Sequence, residues 1–310
     1  MKHWLHAFRL RTLPLAVSSI IVGSALAYFS DNWRYIGPSS FRPIVLWLAL
    51  ITAVLLQILS NLANDLGDHL HGTDNAERVG PERAVQSGAI PPAAMKRAML
   101  ICGALAFLSG CMLITVALGL TLTTLGFLLL GLLAIGAAVK YTFGKNPYGY
   151  AGLGDVSVFL FFGIVGVCGT FYLHSAGFHW ATLMPAAGFG LLSAGVLNVN
   201  NMRDIVNDAA SGKRTLVVRM GSAKAKVYHT FLVVSGLASL VIFTSLFFGV
   251  GFFNDSWWMW LFLLVVPGFV IHLKRVWTTN EPRDLDPQLK VLAMGTFFTA
   301  LLFSLGLILA

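Results

Sequence analysis

Long apolar runs, separated by short or strongly polar connectors, set the pattern of this chain. Nine stretches contain no Asp, Glu, Lys or Arg: 13–29, 44–59, 98–118, 122–139, 156–173, 181–199, 227–248, 257–271 and 291–310. About 20 apolar residues cross the hydrocarbon core of a bilayer as a helix. The runs therefore predict an all-α integral membrane protein with nine spans, read as one domain over residues 1–310. Only residues 119–121 divide the third run from the fourth, which predicts a tight hairpin. The N-terminal region also has features of a signal peptide: Lys2, Arg9 and Arg11 precede an apolar stretch, and Ser24-Ala25-Leu26-Ala27 has the form of a cleavage site. With further spans following, insertion needs no cleaved signal, and the orientation is the same either way.

Composition sharpens this picture. The chain has 310 residues, 57% hydrophobic and 11% charged, where a soluble domain carries about a quarter charged residues. With the N-terminus placed in the cytoplasm, every one of the 21 Lys and Arg residues except Arg34 and Arg42 falls inside, as the positive-inside rule requires. The net charge of +8 thus reports orientation in a lipid bilayer. A nucleic-acid partner is not expected. Cys102, Cys111 and Cys168 lie within spans without CxxC or Cys/His spacing and read as buried thiols.

The polar residues gather in inside loops, over 65–96, 140–155, 202–225 and 272–290. Two concentrations stand out at span ends: Asn61-Leu62-Ala63-Asn64-Asp65-Leu66-Gly67-Asp68, and Asn200-Asn201-Met202-Arg203-Asp204-Ile205-Val206-Asn207-Asp208. Carboxylates are expensive near lipid. Residues three and four apart share a helix face, so Asn61, Asn64, Asp65 and Asp68 form one stripe and Asn200, Asp204 and Asp208 another. Sulfur-free oxygen ligands suit Mg²⁺, which works with phosphate; two such stripes fit two ions bridging a diphosphate. The alternative is a pair of hydrated helix ends. The spacing Asn-x-x-polar-Asp occurs in both clusters and suggests two related halves.

Basic residues follow each cluster: Arg78 and Arg83 after the first, Lys213 and Arg214 after the second, with Arg203 beside Asp204. They could hold diphosphate oxygens, although the positive-inside rule predicts them anyway. The loop from Lys140 to Asp155 adds Tyr141 and an acid at the membrane edge, while Tyr148 and Tyr150 read as an interfacial aromatic belt. The fourth loop, with Glu281, Asp284 and Asp286, reads as a solvated linker, so Asp286→Ala is expected to be nearly silent. His69 and His71 form an HxH without an evident third zinc ligand. The remaining histidines are scattered. P-loop, GxGxxG and GxSxG motifs are absent.

At this point the sequence resembles a known family. Asn64-Asp65-x-x-Asp68 and Asp204-x-x-x-Asp208 resemble the paired motifs of the UbiA superfamily of intramembrane prenyltransferases. The resemblance extends through Arg11-Thr12-Leu13-Pro14, Gly80-Pro81, Tyr141-Thr142, Gly152-Leu153-Gly154-Asp155, Phe161-Phe162-Gly163 and the long stretch Asn201-x-Arg203-Asp204 to Gly212-Lys213-Arg214-Thr215-Leu216. It is most similar to the menaquinone-pathway, dihydroxynaphthoate branch. The first motif departs from a common superfamily form: Gly72 stands where another Asp is usual, which puts a metal role for Asp74 in doubt.

The resemblance implies a UbiA-type bundle in a bacterial inner membrane with a cytoplasmic site. It implies Mg²⁺ held by Asn64, Asp65, Asp68, Asp204 and Asp208, and two substrates, a polyprenyl diphosphate and 1,4-dihydroxy-2-naphthoate. Asn61, Arg78, Lys140, Asn200, Asn201, Arg203 and Lys213 would line the diphosphate site and Tyr141 would touch it. Asp155 would orient or deprotonate the ring, and Arg11 would meet its carboxylate. The sequence leaves two rivals: another aromatic acceptor such as 4-hydroxybenzoate, and a cation-coupled transporter. A transporter would place ionisable groups near the bilayer midplane, whereas these gather at one face.

Overall fold

The computed structural model describes residues 2–30, 41–74, 79–80, 82–248 and 257–310. Among them all regular structure is helical. A short helix α1 (Lys2–Ala7) breaks at Arg9, whose backbone is left-handed at φ 49°, before α2 (Leu13–Ser30). Then follow α3 (Pro43–Leu70), α4 (Pro92–Leu118) and α5 (Leu122–Lys140). The fifth crossing joins α6 (Gly154–Val158), a π-helical stretch Phe159–Gly169 and α7 (Thr170–Ser175). After it come α8 (Leu183–Arg203), the short α9 (Ile205–Ala210) and α10 (Leu216–Phe248). A 3₁₀ segment Trp257–Val265 leads into α11 (Val266–Thr278), and α12 (Asp286–Leu309) closes the chain.

Nine of these helical units are long and apolar enough to cross a membrane, one for each expected run. The expected hairpin is present. Gly119 ends α4 at φ 66°, and Thr121 opens α5 with a reciprocal cap to Thr124. Ser24-Ala25-Leu26-Ala27 lies within α2 and is buried in the bundle. The outer faces are apolar: Leu100, Ile101, Leu105, Leu108 and Met112 form an exposed stripe along α4. Water does not tolerate such a continuous stripe; lipid does.

Both ends of the bundle can be told apart. At one end the Arg42 guanidinium, at the start of α3, donates to Val116 O, Ala117 O and Leu173 O at 3.2, 2.7 and 2.7 Å. A cation therefore caps the carbonyl termini of α4 and α7, where helix dipoles favour positive charge. This places the start of α3 and the ends of α4 and α7 together, as alternating spans require. The acidic clusters occupy the far ends of α3 and α8. Each stands on its own apolar core: Leu62, Leu66, Val85, Ile90 and Met95 beneath the first, Met202, Val217, Ala225, Leu285 and Leu292 beneath the second.

The scattered histidines are not all scattered in space. His229 of α10, His272 of α11 and Gln288 of α12 form a buried chain, with Nε2 to Nε2 at 2.8 Å and His272 Nδ1 to Gln288 Oε1 at 3.0 Å. Such a polar seam inside apolar helices fixes which faces pair.

Close approach of the fifth crossing to α8 depends on glycine. A Cβ on Gly163 would lie 2.5 Å from Ala186 O and 2.9 Å from Gly190 Cα, both backbone atoms that cannot rotate away. Gly163→Val is expected to destabilise the purified protein by about 1–3 kcal/mol. The check is a drop in detergent melting temperature, with Gly126→Val, where nothing lies within 4 Å, as a near-neutral control.

Candidate active site

Both acidic clusters end in the same backbone device. At the end of α3, Gly72 adopts φ 72°, and the chain turns so that Thr73 N–H donates to Asp68 O at 2.9 Å. At the end of α9, Gly212 adopts φ 72°, and Lys213 N–H donates to Asp208 O at 2.8 Å. A left-handed residue after a helix is normally glycine because it lacks a Cβ. Gly72, which replaces the usual Asp of the motif, thus has a structural reason. The relation between the two halves extends four residues beyond the acids.

The first cluster is held from several directions. Asp65 is buried, and its oxygens accept the backbone N–H groups of Ala84 and Val85, each at 3.2 Å. Asp68 forms an ion pair with Arg83 at 2.8 Å. The other edge of Arg83 faces Asp74 at 3.2 Å, and its Nη1 donates to Asn64 O at 2.7 Å. Asn64 Oδ1 accepts from Thr142 Oγ1 at 2.8 Å. Asn61 points elsewhere: it donates to Phe8 O and Thr12 Oγ1 at 2.9 and 3.0 Å, and so anchors the break between α1 and α2. Asp74 is therefore part of the cluster, as the second counter-ion of Arg83.

In the second cluster Lys213 is buried, 3.5 Å from Asp208. Burial alone would lower the Lys213 pKa, but the charges of Asp68 and Asp208 hold it above the usual value. One lysine therefore serves both clusters. Burial pushes Asp208 up to about 6, against the pull of Lys213, and Asp204 and Asp68 push in the same direction. Asp208 Oδ2 and Asn207 Oδ1 are buried with no hydrogen-bond partner. Each such orphan acceptor carries a desolvation penalty of about 1–3 kcal/mol, which a cation in the cluster would remove.

Arg203 is wrapped by protein acceptors. Its Nε and Nη2 donate to Asp204 at 2.8 and 2.6 Å, Nη2 also reaches Asn200 Oδ1 at 3.1 Å, and Nη1 meets Asp286 at 2.5 Å. A guanidinium so enclosed holds Asp204 in place, and like Arg83 it would receive a diphosphate only by exchanging a protein partner for it. The solvated linker expected around Asp286 is corrected. Asp286 joins the start of α12 to the end of α8, and neighbouring Leu285 is buried.

The third loop closes the site. Tyr150, read from sequence as part of an aromatic belt, donates its hydroxyl to Asp68 Oδ1 at 2.9 Å, and Lys213 stands 5.3 Å from its ring centre. Tyr148 is bonded internally to Ala137 O and Ser157. Burial raises the Tyr141 pKa, and the charges of Asp155, Asp68 and Asp208 add to that rise. Tyr141 is thus within electrostatic reach of both clusters and of Asp155. Its hydroxyl lies 2.9 Å from where a Gly154 Cβ would be. Asp155 is buried, faces Tyr228 and leaves Oδ1 unpartnered.

Other expected residues fall at the margin. Lys140 is exposed and donates to Lys145 O. Asn201 is buried on α8. Arg78 lies outside the described residues. Arg11 lines a cavity of about 550 Å³ together with Arg9, Asp65, Glu82 and Arg83. His71 Nδ1 contacts Gly67 O at 2.8 Å. Among the described residues no three His, Cys, Asp or Glu side chains converge closely enough for a metal; Arg83 and Lys213 stand between the carboxylates instead.

The model of the UbiA prenyltransferase family matches residues 16–302. The chain belongs to the UbiA prenyltransferase family. It is 45% identical over 307 residues to the Escherichia coli (strain K12) protein named 1,4-dihydroxy-2-naphthoate octaprenyltransferase, covering 99% of this chain and 95% of that one. The UbiA fold is also seen in solved structures. A UbiA homolog from Aeropyrum pernix K1 superposes with a TM-score of 0.65 at 17% identity, covering 94% of this chain and 98% of that one. A UbiA homolog from Archaeoglobus fulgidus bound to DMAPP and Mg²⁺ gives 0.53 at 14% identity, covering 95% and 98%.

In this UbiA-family chain Asp286 is expected to matter. Asp286→Ala leaves Arg203 to Asp204 and Asn200, and turnover should fall by about tenfold, as for loss of a group that orients a ligand. Asp284→Ala is the control. Equal activity in both variants, measured in membranes, would remove the positioning role.

Proposed function

We propose that this chain transfers a polyprenyl group from an allylic diphosphate to 1,4-dihydroxy-2-naphthoate, with loss of the carboxylate, giving demethylmenaquinone in its reduced, quinol form. The observation that carries the proposal is the meeting of two acidic clusters around Arg83 and Lys213 at one end of a lipid-facing bundle. The choice of acceptor is supported by the relative named for that substrate, similar across 99% of this chain. The basic residues of the polar loops support a site at the cytoplasmic face of a bacterial inner membrane.

The donor set has the chemistry that Mg²⁺ takes, with its carboxylates held apart by Arg83 and Lys213 until an ion draws them together. It consists of hard oxygens from Asn64, Asp65, Asp68, Asp204 and Asp208, and it includes the orphan oxygen of Asp208. When bound, Mg²⁺ neutralises charge on the diphosphate oxygens. The chain supplies the rest. Arg83 and Lys213 already lie among carboxylates and can transfer their hydrogen bonds to the non-bridging oxygens. The allylic C–O bond then breaks, and diphosphate leaves with the electron pair. Apolar helices keep water from the allylic cation, and Tyr141 lies beside it. A carbon of the naphthoate ring forms the new C–C bond, and the carboxylate departs as CO₂. Arg11, on the cavity wall, would meet that carboxylate beforehand, and Asp155 would orient the ring or accept a hydroxyl proton from it.

The test uses membranes supplied with Mg²⁺, a polyprenyl diphosphate and one aromatic acid at a time. Prenylation of 1,4-dihydroxy-2-naphthoate is expected, and none of 4-hydroxybenzoate. Asp68→Ala and Asp208→Ala should each lose at least about a hundredfold in turnover while remaining in the membrane fraction. Exclusive use of 4-hydroxybenzoate would overturn the acceptor; full activity in both variants would overturn the site.

A further inference from the structure

The spacing of acids in the second cluster draws attention to Asp204 and Asp208 and passes over the amide between them. Asn207 is 5% exposed on α9. Its Nδ2 lies 2.8 Å from Thr73 O, across 134 residues of sequence. A backbone carbonyl can only accept, so the atom facing it must be the amide NH₂. The amide oxygen is thereby turned away from Thr73, and there it is buried without any donor. Thr73 itself is fixed. Its N–H donates to Asp68 O, and its hydroxyl lies 2.5 Å from the Tyr150 hydroxyl. Tyr150 gives its only proton to the Asp68 carboxylate, so Thr73 must donate to Tyr150. The direction of every bond from Asn207 to Asp68 is therefore set.

Asn207 shares a helix face with Asp204, three residues earlier, and Asp208, the next residue, also carries an unpartnered buried oxygen. Lys213 is drawn to both Asp208 and Asp68. Two buried orphan acceptors thus occur on consecutive residues of α9, the element that Asn207 ties to the first cluster through Thr73. An amide oxygen is a hard, neutral ligand of the kind Mg²⁺ and Ca²⁺ accept.

We infer that Asn207 is a further cation ligand of the second cluster, presented by the Thr73 carbonyl of the first. This rests on the Mg²⁺–diphosphate reading above. The arrangement also makes one cluster orient a ligand of the other: the first loop must be folded before the second cluster has its full oxygen set.

The test is binding, not turnover. Full-length protein in detergent is held at a fixed concentration of an unreactive thiolo analogue of farnesyl diphosphate. Mg²⁺ is titrated, and the rise in melting temperature gives its half-saturating concentration. Asn207→Ala, which loses oxygen and donor together, should raise that concentration by about tenfold or more. Asn207→Asp keeps an oxygen and loses the donor, and should stay within about threefold of the parent. Both variants should melt lower than the parent without Mg²⁺, since both lose the Thr73 bond. An unchanged titration in Asn207→Ala overturns the inference. So does an Asn207→Asp titration as weak as that of Asn207→Ala, because Asn207 would then be a latch alone. If the parent itself shows no Mg²⁺-dependent shift, the metal reading of the whole site fails instead.

Discussion

Buried carboxylates at the end of a membrane bundle need counter-charge, and the rest of the site follows from how they get it. Asp68 and Asp208 are 2% and 1% exposed. Taking an ion out of water carries a penalty of several kcal/mol unless its partners are close and well aligned. Here those partners come from other loops. Arg83 lies between Asp68 and Asp74, and Lys213 answers to both Asp68 and Asp208. Each cluster therefore depends on the other for neutrality. In the proposed reaction the same two cations would exchange carboxylate partners for the incoming diphosphate.

The two halves solve one problem twice. Each puts an Asp near a helix end, turns the chain at a left-handed glycine four residues later, and returns the next N–H to the carbonyl of that Asp. Each rests on its own apolar core. They differ in what the returning residue contributes: Thr73 gives a hydroxyl and a carbonyl, Lys213 gives a charge. The third loop, through Tyr150, and the start of the last span, through Asp286, tie these halves into one polar assembly.

The nine spans were legible because lipid imposes a strong and local rule on composition. The acidic clusters were legible for the same reason, since carboxylates at span ends violate that rule unless they have a purpose. The partners were not. Asp286 reaches Arg203 across 83 residues, and Tyr150 reaches Asp68 across 82; nothing in either local sequence marks those pairings. Tyr150 resembled an interfacial tyrosine, and Arg83 resembled any positive-inside residue. Arg203 stood out by its position beside Asp204, but its partners Asn200 and Asp286 are visible only in the geometry. Asn207 was hidden among asparagines that are common at hydrated helix ends.

The central claim is that Asp68 and Asp208, from distant parts of the chain, act on one bound cation–diphosphate. A double-mutant cycle of Asp68→Asn and Asp208→Asn, read out as the Mg²⁺ half-saturation of thermal stabilisation, measures this directly. The account predicts strong non-additivity, with the double variant little weaker than the worse single variant. Independent, additive losses would mean two separate sites and would contradict it.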